Sequence, residues 1–173
     1  WINTQKNNSL LHSHALASGF GTRNAWSAPV VISKYVGGFA AEPQKDGHIN
    51  LAYIFTGEEA DRPAGIYYAR LGAGGKSWSK PVPLFTSRYY RPVTQKTGHV
   101  GISSALENGA ETIYVTWDNR AVKRVYLSKS IDQGVTWSPP FEVDGPTASM
   151  SSNEPFNLQV QASPPDNVLL VWQ

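Results

Sequence analysis

The sequence has no cysteine, and only 16% of its residues are charged, with a formal net charge of +2. The absence of cysteine excludes disulfides, thiol nucleophiles and cysteine-ligated zinc or iron–sulfur sites, and it leaves the redox compartment open. The small net charge gives no electrostatic reason to expect a nucleic-acid partner. No apolar run reaches the ~18 residues of a membrane-spanning helix, so we expect no membrane span. Because the chain opens on Trp1 without a signal peptide, we expect a mature or excised segment.

Turn-forming and aromatic residues are abundant. The 173 residues include 15 Gly and 12 Pro, which long helices do not accommodate, together with six Trp, eight Tyr and six Phe. Aromatic residues are enriched in strands and argue against disorder. The composition therefore predicts an all-β fold.

A Trp-Ser-x-Pro motif followed by alternating apolar residues occurs three times, at 26–29, 78–81 and 137–140. The tryptophans are separated by 52 and then 59 residues. A second alternating apolar segment recurs at 47–53, 111–117 and 167–172. Repeats of this period are typical of propellers.

Each repeat is predicted to contain four short strands. In the best-defined copy they fall at 99–106, 112–117, 124–130 and 137–143, where apolar and polar residues alternate between turn-forming residues. The proline after each tryptophan restricts the fourth strand to a sheet edge, so it should lie outermost. A β-sandwich of about seven strands also fits the length, but it does not predict a repeat.

We therefore predict a partial β-propeller over residues 1–173, with about three four-stranded antiparallel blades. The repeats fall at approximately 1–36 (incomplete), 37–92, 93–150 and 151–173 (incomplete). Trp1 and Trp172 occupy equivalent positions 171 residues apart, which is three periods of 57. Because a ring needs about four to eight blades, the remaining blades should come from the parent chain or from a second copy.

The turn at 130–137 reads Ser-Ile-Asp-Gln-Gly-Val-Thr-Trp. Its aspartate can accept hydrogen bonds from backbone N–H groups, its glycine can supply a positive φ, and its tryptophan can bury a ring between neighbouring sheets. This pattern resembles the Asp-box, or BNR repeat, of sialidases and related secreted propellers. The structural Asp-box positions are Ser130, Asp132, Gly134, Thr136 and Trp137.

The resemblance implies a β-propeller of sialidase type, most often six-bladed, that is secreted or displayed at the cell surface. In the family, Asp-boxes lie on the blade periphery and serve the fold. Ligand sites lie on the opposite face, which here collects 56–63, 85–98, 118–123 and 144–155, including Glu58, Glu59, Asp61 and Glu154. On that face we predict these ligand-binding residues: Arg62, Arg88, Tyr89, Tyr90, Arg91, Asp118 and Arg120.

A sialidase needs three arginines that clamp the substrate carboxylate, a tyrosine nucleophile paired with a glutamate, and an aspartate as acid/base. Tyr90-Arg91-Pro92 is the only candidate for the family's first arginine motif, and it lacks the aliphatic residue of that motif. The weak catalytic candidates are Arg91, Tyr90 and Arg88, and the catalytic set is otherwise unknown. A surface loop whose Arg and Tyr stack on each other is the alternative.

Other patterns favour structural roles. His12 and His14 could share one strand face, but no third ligand lies near in sequence, so we expect no metal site. The Gly-rich segment at 72–77 is followed by a strand, whereas a phosphate loop needs a helix. The tyrosine pairs at 67–68 and 89–90 could form a sugar platform or pack between blades. We expect no cofactor.

Two functions are predicted. The first is a segment of an extracellular propeller that binds a glycan or protein ligand through the face opposite the Asp-boxes. The alternative is part of an exo-sialidase or related glycoside hydrolase whose remaining catalytic residues lie outside this segment. A half-propeller that closes a ring with a second copy is a third, weaker option.

Overall fold

The computed structural model describes residues 1–75, 77–107, 109–143, 158–163 and 167–172. In these residues the fold is all-β, with four antiparallel sheets and two short 3₁₀ helices, Arg23–Ala25 and Arg88–Tyr90. The strands are β1 (Ile2–Asn3), β2 (Ser9–His12), β3 (Val30–Ser33), β4 (Val36–Pro43), β5 (Ile49–Phe55), β6 (Gly65–Leu71), β7 (Val82–Thr86), β8 (Val100–Glu107), β9 (Ala110–Asn119), β10 (Arg124–Ser130), β11 (Phe141–Glu142), β12 (Gln159–Ser163) and β13 (Asn167–Val171). No helix among the described residues has the length and apolarity to cross a membrane.

Each sheet is built from strands that follow one another along the chain. Sheet 1 contains β1 to β3, sheet 2 contains β4 to β7, sheet 3 contains β8 to β11, and sheet 4 contains β12 and β13. Sheet 3 has the four strands predicted for its repeat, and sheets 2 and 3 carry their fourth strand at the edge, as predicted. A β-sandwich has two facing sheets, so the four sheets of the described residues exclude that alternative.

The fourth strand of sheet 3 is shorter than predicted, since it covers Phe141–Glu142 instead of 137–143. Pro139 and Pro140 have no N–H to donate to the ladder, so regular pairing with β10 begins beyond them. The repeat boundaries remain a prediction. The boundary at 150, the predicted loop at 144–155 with Glu154, and Lys76 of the Gly-rich segment lie outside the described residues.

The first strands of sheets 2, 3 and 4 lie side by side, because β8 contacts both β4 and β12. Sheet 2 is covered on both faces. Along β5, Leu51, Tyr53 and Phe55 pack toward sheet 1, whereas Ala52 and Ile54 pack toward sheet 3. Successive side chains of a strand point to opposite faces, so β5 is a continuous apolar run because both faces are buried. The second strand of this sheet is therefore packed between the two neighbouring sheets.

The serine of each Trp-Ser-x-Pro motif makes two hydrogen bonds to one residue in or just after the preceding strand. We call this pair of bonds the serine clamp. The serine N–H donates to that residue's carbonyl oxygen at 2.8 or 2.9 Å, and the serine Oγ accepts from the same residue's N–H at 3.0 or 3.1 Å. The hydroxyl thus replaces a backbone carbonyl just ahead of the proline. The clamped pairs are Ser27 with His14, Ser79 with Arg70, and Ser138 with Lys129.

The 130–137 turn is closed by its own side chains. Ser130 Oγ donates to Asp132 Oδ1 at 2.8 Å and accepts from the Gly134 N–H at 2.9 Å. Asp132 accepts from the Thr136 N–H at 2.8 Å and from the Thr136 hydroxyl at 2.5 Å. The hydrogen bonds from Thr136, and then that from Ser130, lower the pKa of Asp132 from 3.8 to about 2. The predicted acceptor role of Asp132 and the positive φ of Gly134, +85°, are confirmed.

The same turn docks on sheet 2. Gly134 lies against the ring of Tyr68, so that a Cβ at this position would overlap the ring. The Trp137 ring centroid lies 5.0 Å from that of Tyr68, and Trp137 Nε1–H donates to the Gly134 carbonyl oxygen at 3.1 Å. The prediction that Trp137 packs between neighbouring sheets is confirmed.

We expect Gly134→Ala to lower the free energy of unfolding by about 3 kcal/mol, because it adds overlap with Tyr68 to the strain of a positive φ. Gly74→Ala is the matched control, since Gly74 has the same φ of +85° and no atom within 4 Å of an added Cβ. Backbone strain alone predicts a loss of about 1 kcal/mol there. Urea denaturation measures both, and equal losses would contradict the docking of the turn on Tyr68.

The low pKa of Asp132 makes a pH-dependent contribution to stability. Because the folded-state pKa lies below the ordinary value, the contribution is complete above pH 3.8 and is lost as the pH falls toward about 2. The stability difference between the wild type and Asp132→Asn should therefore be constant at neutral pH and shrink over this window. Urea midpoints measured from pH 6 to pH 2 test this, and a difference independent of pH would refute it.

Candidate functional site

Hairpin connectivity divides the loops between two faces. The turn between β4 and β5 (44–48) and the turn between β10 and β11 (131–140) lie at one end of their sheets, which we call the turn face. The β5–β6 connection, the β7–β8 crossing and the β9–β10 turn lie at the other end, which we call the loop face. The predicted ligand-binding residues all belong to the loop face.

A cleft of about 400 Å³ on the loop face is lined by the β7–β8 crossing and the β9–β10 turn. Four of the predicted residues line it, namely Tyr89, Tyr90, Asp118 and Arg120. Arg62 lines a separate cavity of about 500 Å³ with Glu59 and Asp61. The structure thus brings together part of the predicted set on this face.

The arginines of the loop face have nearby partners. Arg62 Nη2 lies 3.0 Å from Glu59 Oε2, and the Arg62 guanidinium carbon lies 4.0 Å from the centroid of the Phe55 ring. Arg91 is paired with Glu58. Arg88 lies over the Tyr89 ring, with 5.6 Å between its guanidinium carbon and the ring centroid. The stacked Arg and Tyr stated above as the alternative are therefore present, and Arg62 and Arg91 are paired with glutamates.

Tyr90 and Asp118 are buried beneath the cleft. Tyr90 is 2% exposed, and its hydroxyl donates to the Asp118 carbonyl oxygen at 2.9 Å. Burial raises the pKa of Tyr90, which opposes the ionised form that a nucleophile requires. The Asp118 carboxylate accepts from the His99 N–H at 2.9 Å and lies 3.1 Å from His99 Nδ1. Both side chains thereby hold β9 to the segment that precedes β8.

A larger groove of about 680 Å³ lies on the turn face, between sheets 2 and 3. We call it the inter-sheet groove. Its walls come from β6, β8, β9 and the two turns of that face, so half of its side chains are carried by strands. They are Gln44, Lys45, Asp46, His48, Arg70, Ser104, Ala105, Leu106, Glu111 and Gln133.

A partly buried ion pair crosses the groove from sheet 2 to sheet 3. Arg70 Nη2 lies 3.1 Å from Glu111 Oε2, and the two side chains are 13% and 15% exposed. Arg70 Nη1 also donates to Gln133 Oε1 at 3.2 Å. Glu111 Oε1 accepts from Asn50 Nδ2 at 3.0 Å. Partly buried ion pairs of this kind, with further hydrogen bonds on both partners, are held in one geometry.

The pair is linked to the 130–137 turn through Asn50. Asn50 Oδ1 accepts from the Tyr68 hydroxyl at 2.7 Å, and Tyr68 packs on Trp137. Burial raises the pKa of Tyr68, so its hydroxyl stays protonated and remains a donor. Gln133, with a φ of +62°, lies in the same turn. The turn therefore supports the ion pair in two ways: Gln133 contacts Arg70 directly, and Trp137 packs on Tyr68, which bonds to Asn50.

The remaining walls are apolar on one side and polar on the other. Ala105 and Leu106 of β8 form the apolar wall, and Leu106 is 68% exposed. On the other side, Gln44 Nε2 donates to Ser104 Oγ at 2.9 Å, and Asp46 Oδ2 lies 2.8 Å from His48 Nδ1. An apolar wall beside fixed hydrogen-bonding groups is typical of small-molecule sites.

The sequence patterns did not predict Arg70, Glu111 or Gln133 as site residues. The repeat register carried a signal for Arg70, because it aligns Leu71 with Ser130 and hence Arg70 with Lys129, a second basic residue. The serine clamp gives the same alignment. Glu111 and Gln133 had no such signal, since their contacts cross between sheets.

The other patterns have structural contacts. His12 and His14 stack with ring centroids 5.5 Å apart, and His12 meets the Trp78 ring edge-on at 5.8 Å. The described residues contain no group of three or more His, Asp or Glu that could hold a metal ion. Tyr67 stacks on Tyr53 at 5.9 Å and Tyr68 packs on Trp137, so this tyrosine pair packs within and between sheets.

We expect Arg70→Met and Glu111→Leu each to lower the free energy of unfolding by about 3 kcal/mol, because each leaves a mostly buried charge without its partner. The double variant should lose less than the sum, since it removes both charges. Urea denaturation of the four proteins measures the coupling. Strictly additive losses would show that the two charges do not stabilise each other.

No protein-family model matches the chain, and no curated protein matches it. Among solved structures, the fold is similar to a mutant of the Aleuria aurantia lectin in complex with alpha-methyl-L-fucoside, with a TM-score of 0.54 and 13% sequence identity. The match covers 96% of this chain and 44% of that chain. This chain therefore spans less than half of the lectin's length. At this identity the likeness shows the fold alone, a propeller-like succession of sheets.

Proposed function

We propose that this protein binds carbohydrate and that the inter-sheet groove is the binding site. The observation that carries the proposal is the Arg70–Glu111 pair, which presents a fixed donor and a fixed acceptor side by side in the groove. A sugar hydroxyl both donates and accepts hydrogen bonds, so it can satisfy both groups at once. The similarity in fold to a lectin in complex with a fucoside supports the proposal.

The apolar wall matches the second property of sugars. A pyranose ring has C–H faces as well as hydroxyls, and Ala105 with the exposed Leu106 offers a surface on which such a face can lie. The strand-borne walls keep both kinds of contact in place before a ligand arrives. A preformed site of this kind loses less conformational entropy on binding.

The loop face is the less favourable site for the same function. Its Arg62–Glu59 and Arg91–Glu58 pairs are more exposed than Arg70–Glu111 and are therefore less firmly fixed, and Tyr90 is buried. These contacts also disfavour the exo-sialidase alternative, which needs available arginine charges and an ionisable tyrosine. Relationship to the Asp-box propellers of sialidase type, secretion, and completion by further blades belong to the proposal as predictions. The hydrogen bonds of the 130–137 turn support the Asp-box identity.

We expect Leu106→Asp to weaken sugar binding by about tenfold or more, because it replaces the apolar wall with a solvated charge. Ile131→Asp is the matched control: Ile131 is also an aliphatic residue 68% exposed on the turn face, but it does not line the groove. Titration calorimetry with alpha-methyl-L-fucoside, methyl β-galactoside and methyl α-mannoside, preceded by an immobilised glycan panel, measures the affinities.

Tyr89→Ala distinguishes the two faces, since Tyr89 lines the loop-face cleft. Loss of binding in Tyr89→Ala with full binding in Leu106→Asp would move the site to the loop face. If the wild-type protein binds no glycan on the panel, the proposed function is refuted.

A further inference from the structure

We infer that the inter-sheet groove selects neutral sugars and discriminates against acidic ones such as uronic and sialic acids. This inference rests on the proposed function of the groove and names the class of its ligand. It departs from the expectation attached to a sialidase-type fold, whose ligand carries a carboxylate.

The first reason is that the charges of the groove are already balanced. Two cations, Lys45 and Arg70, and two anions, Asp46 and Glu111, line it. The more buried cation, Arg70, is held between Glu111 Oε2 and Gln133 Oε1. A ligand carboxylate would meet a guanidinium whose charge is neutralised at 3.1 Å, so it would gain little in exchange for its lost hydration.

The second reason is that an incoming carboxylate would face anions. Glu111 lies in the groove, and Glu42 stands directly behind the wall, where its Oε1 accepts from the Ser104 N–H at 3.0 Å and its Oε2 from Gln44 Nε2 at 3.0 Å. Asp46 at the rim has a lowered pKa, mainly because of hydrogen bonds from His48, and so stays ionised. A ligand carboxylate would be repelled by these like charges in a partly desolvated site.

The third reason is the arrangement of donors and acceptors. Arg70 can only donate and Glu111 can only accept, and their interacting atoms are 3.1 Å apart. One sugar hydroxyl can accept a hydrogen bond from Arg70 and donate its own hydrogen to Glu111. A carboxylate only accepts, so it would satisfy Arg70 and leave an acceptor facing Glu111. Neutral hydroxyl groups are therefore the best complement to the pair.

The test compares sugars that differ only at C6. Methyl β-galactoside and methyl β-glucoside are each paired with the corresponding uronide, and the affinities of the wild-type protein are measured by titration calorimetry at pH 7 and low salt. We expect each uronide to bind about tenfold or more weakly than its neutral counterpart. Glu111→Gln removes one anion with little change of shape. It should reduce the ratio of neutral-sugar affinity to uronide affinity by about threefold or more. Asp46→Asn, at the exposed rim, should reduce the same affinity ratio by a smaller factor. This variant replaces Glu111→Gln in the test if Glu111→Gln does not fold.

The outcomes separate this inference from the proposed function. If uronides bind as tightly as the neutral sugars, and Leu106→Asp abolishes binding of both, the groove binds sugars but the inference is wrong. An unchanged ratio in both Glu111→Gln and Asp46→Asn would also overturn it. If no sugar binds the wild type, both the proposed function and the inference are lost.

Discussion

The serine clamp is the interaction on which the rest of the structure depends. In each repeat, one serine fixes both the N–H and the C=O of a single residue in or near the preceding strand. Its hydroxyl accepts a bond that a backbone carbonyl would otherwise take, at the place where a proline interrupts the ladder. The clamp keeps the fourth segment attached to its sheet even where regular pairing has ended, as between β10 and β11. The recurrence of Trp-Ser-x-Pro in the sequence thus has a physical cause.

The turn at 130–137 connects the clamped segment of sheet 3 to the neighbouring sheet 2. Gly134 allows the Tyr68 ring to approach the backbone, and Trp137 covers the same ring. The Tyr68 hydroxyl then orients Asn50, which orients Glu111. Because every member of this chain of contacts has a defined partner, the ion pair in the groove is positioned by the fold rather than by a ligand. A turn whose role is structural therefore also prepares the candidate site.

Local features were predictable from the sequence, whereas contacts between sheets were not. The bounds of β10 and the bonding of Asp132 depend on residues within a few positions of one another, so pattern and turn chemistry were sufficient. Strand connectivity placed the loop-face residues on one face, but it gave no indication of their partners. Glu58 and Glu59 neutralise arginines, and the 3₁₀ helix at 88–90 carries Tyr90 into the core. The groove was missed because Arg70 and Glu111 meet only when two sheets pack side by side.

The clamp acts on the backbone of a residue and makes no hydrogen bond to its side chain. Three different side chains, those of His14, Arg70 and Lys129, stand at this same anchored position in successive repeats. Next to Gly75, in the turn between β6 and β7, the position holds an imidazole, and next to Glu111 of sheet 3 it holds a guanidinium. A substitution there changes the side chain without removing either backbone bond of the clamp. The repeats therefore differ in side-chain chemistry at this position while the two bonds of the clamp stay the same.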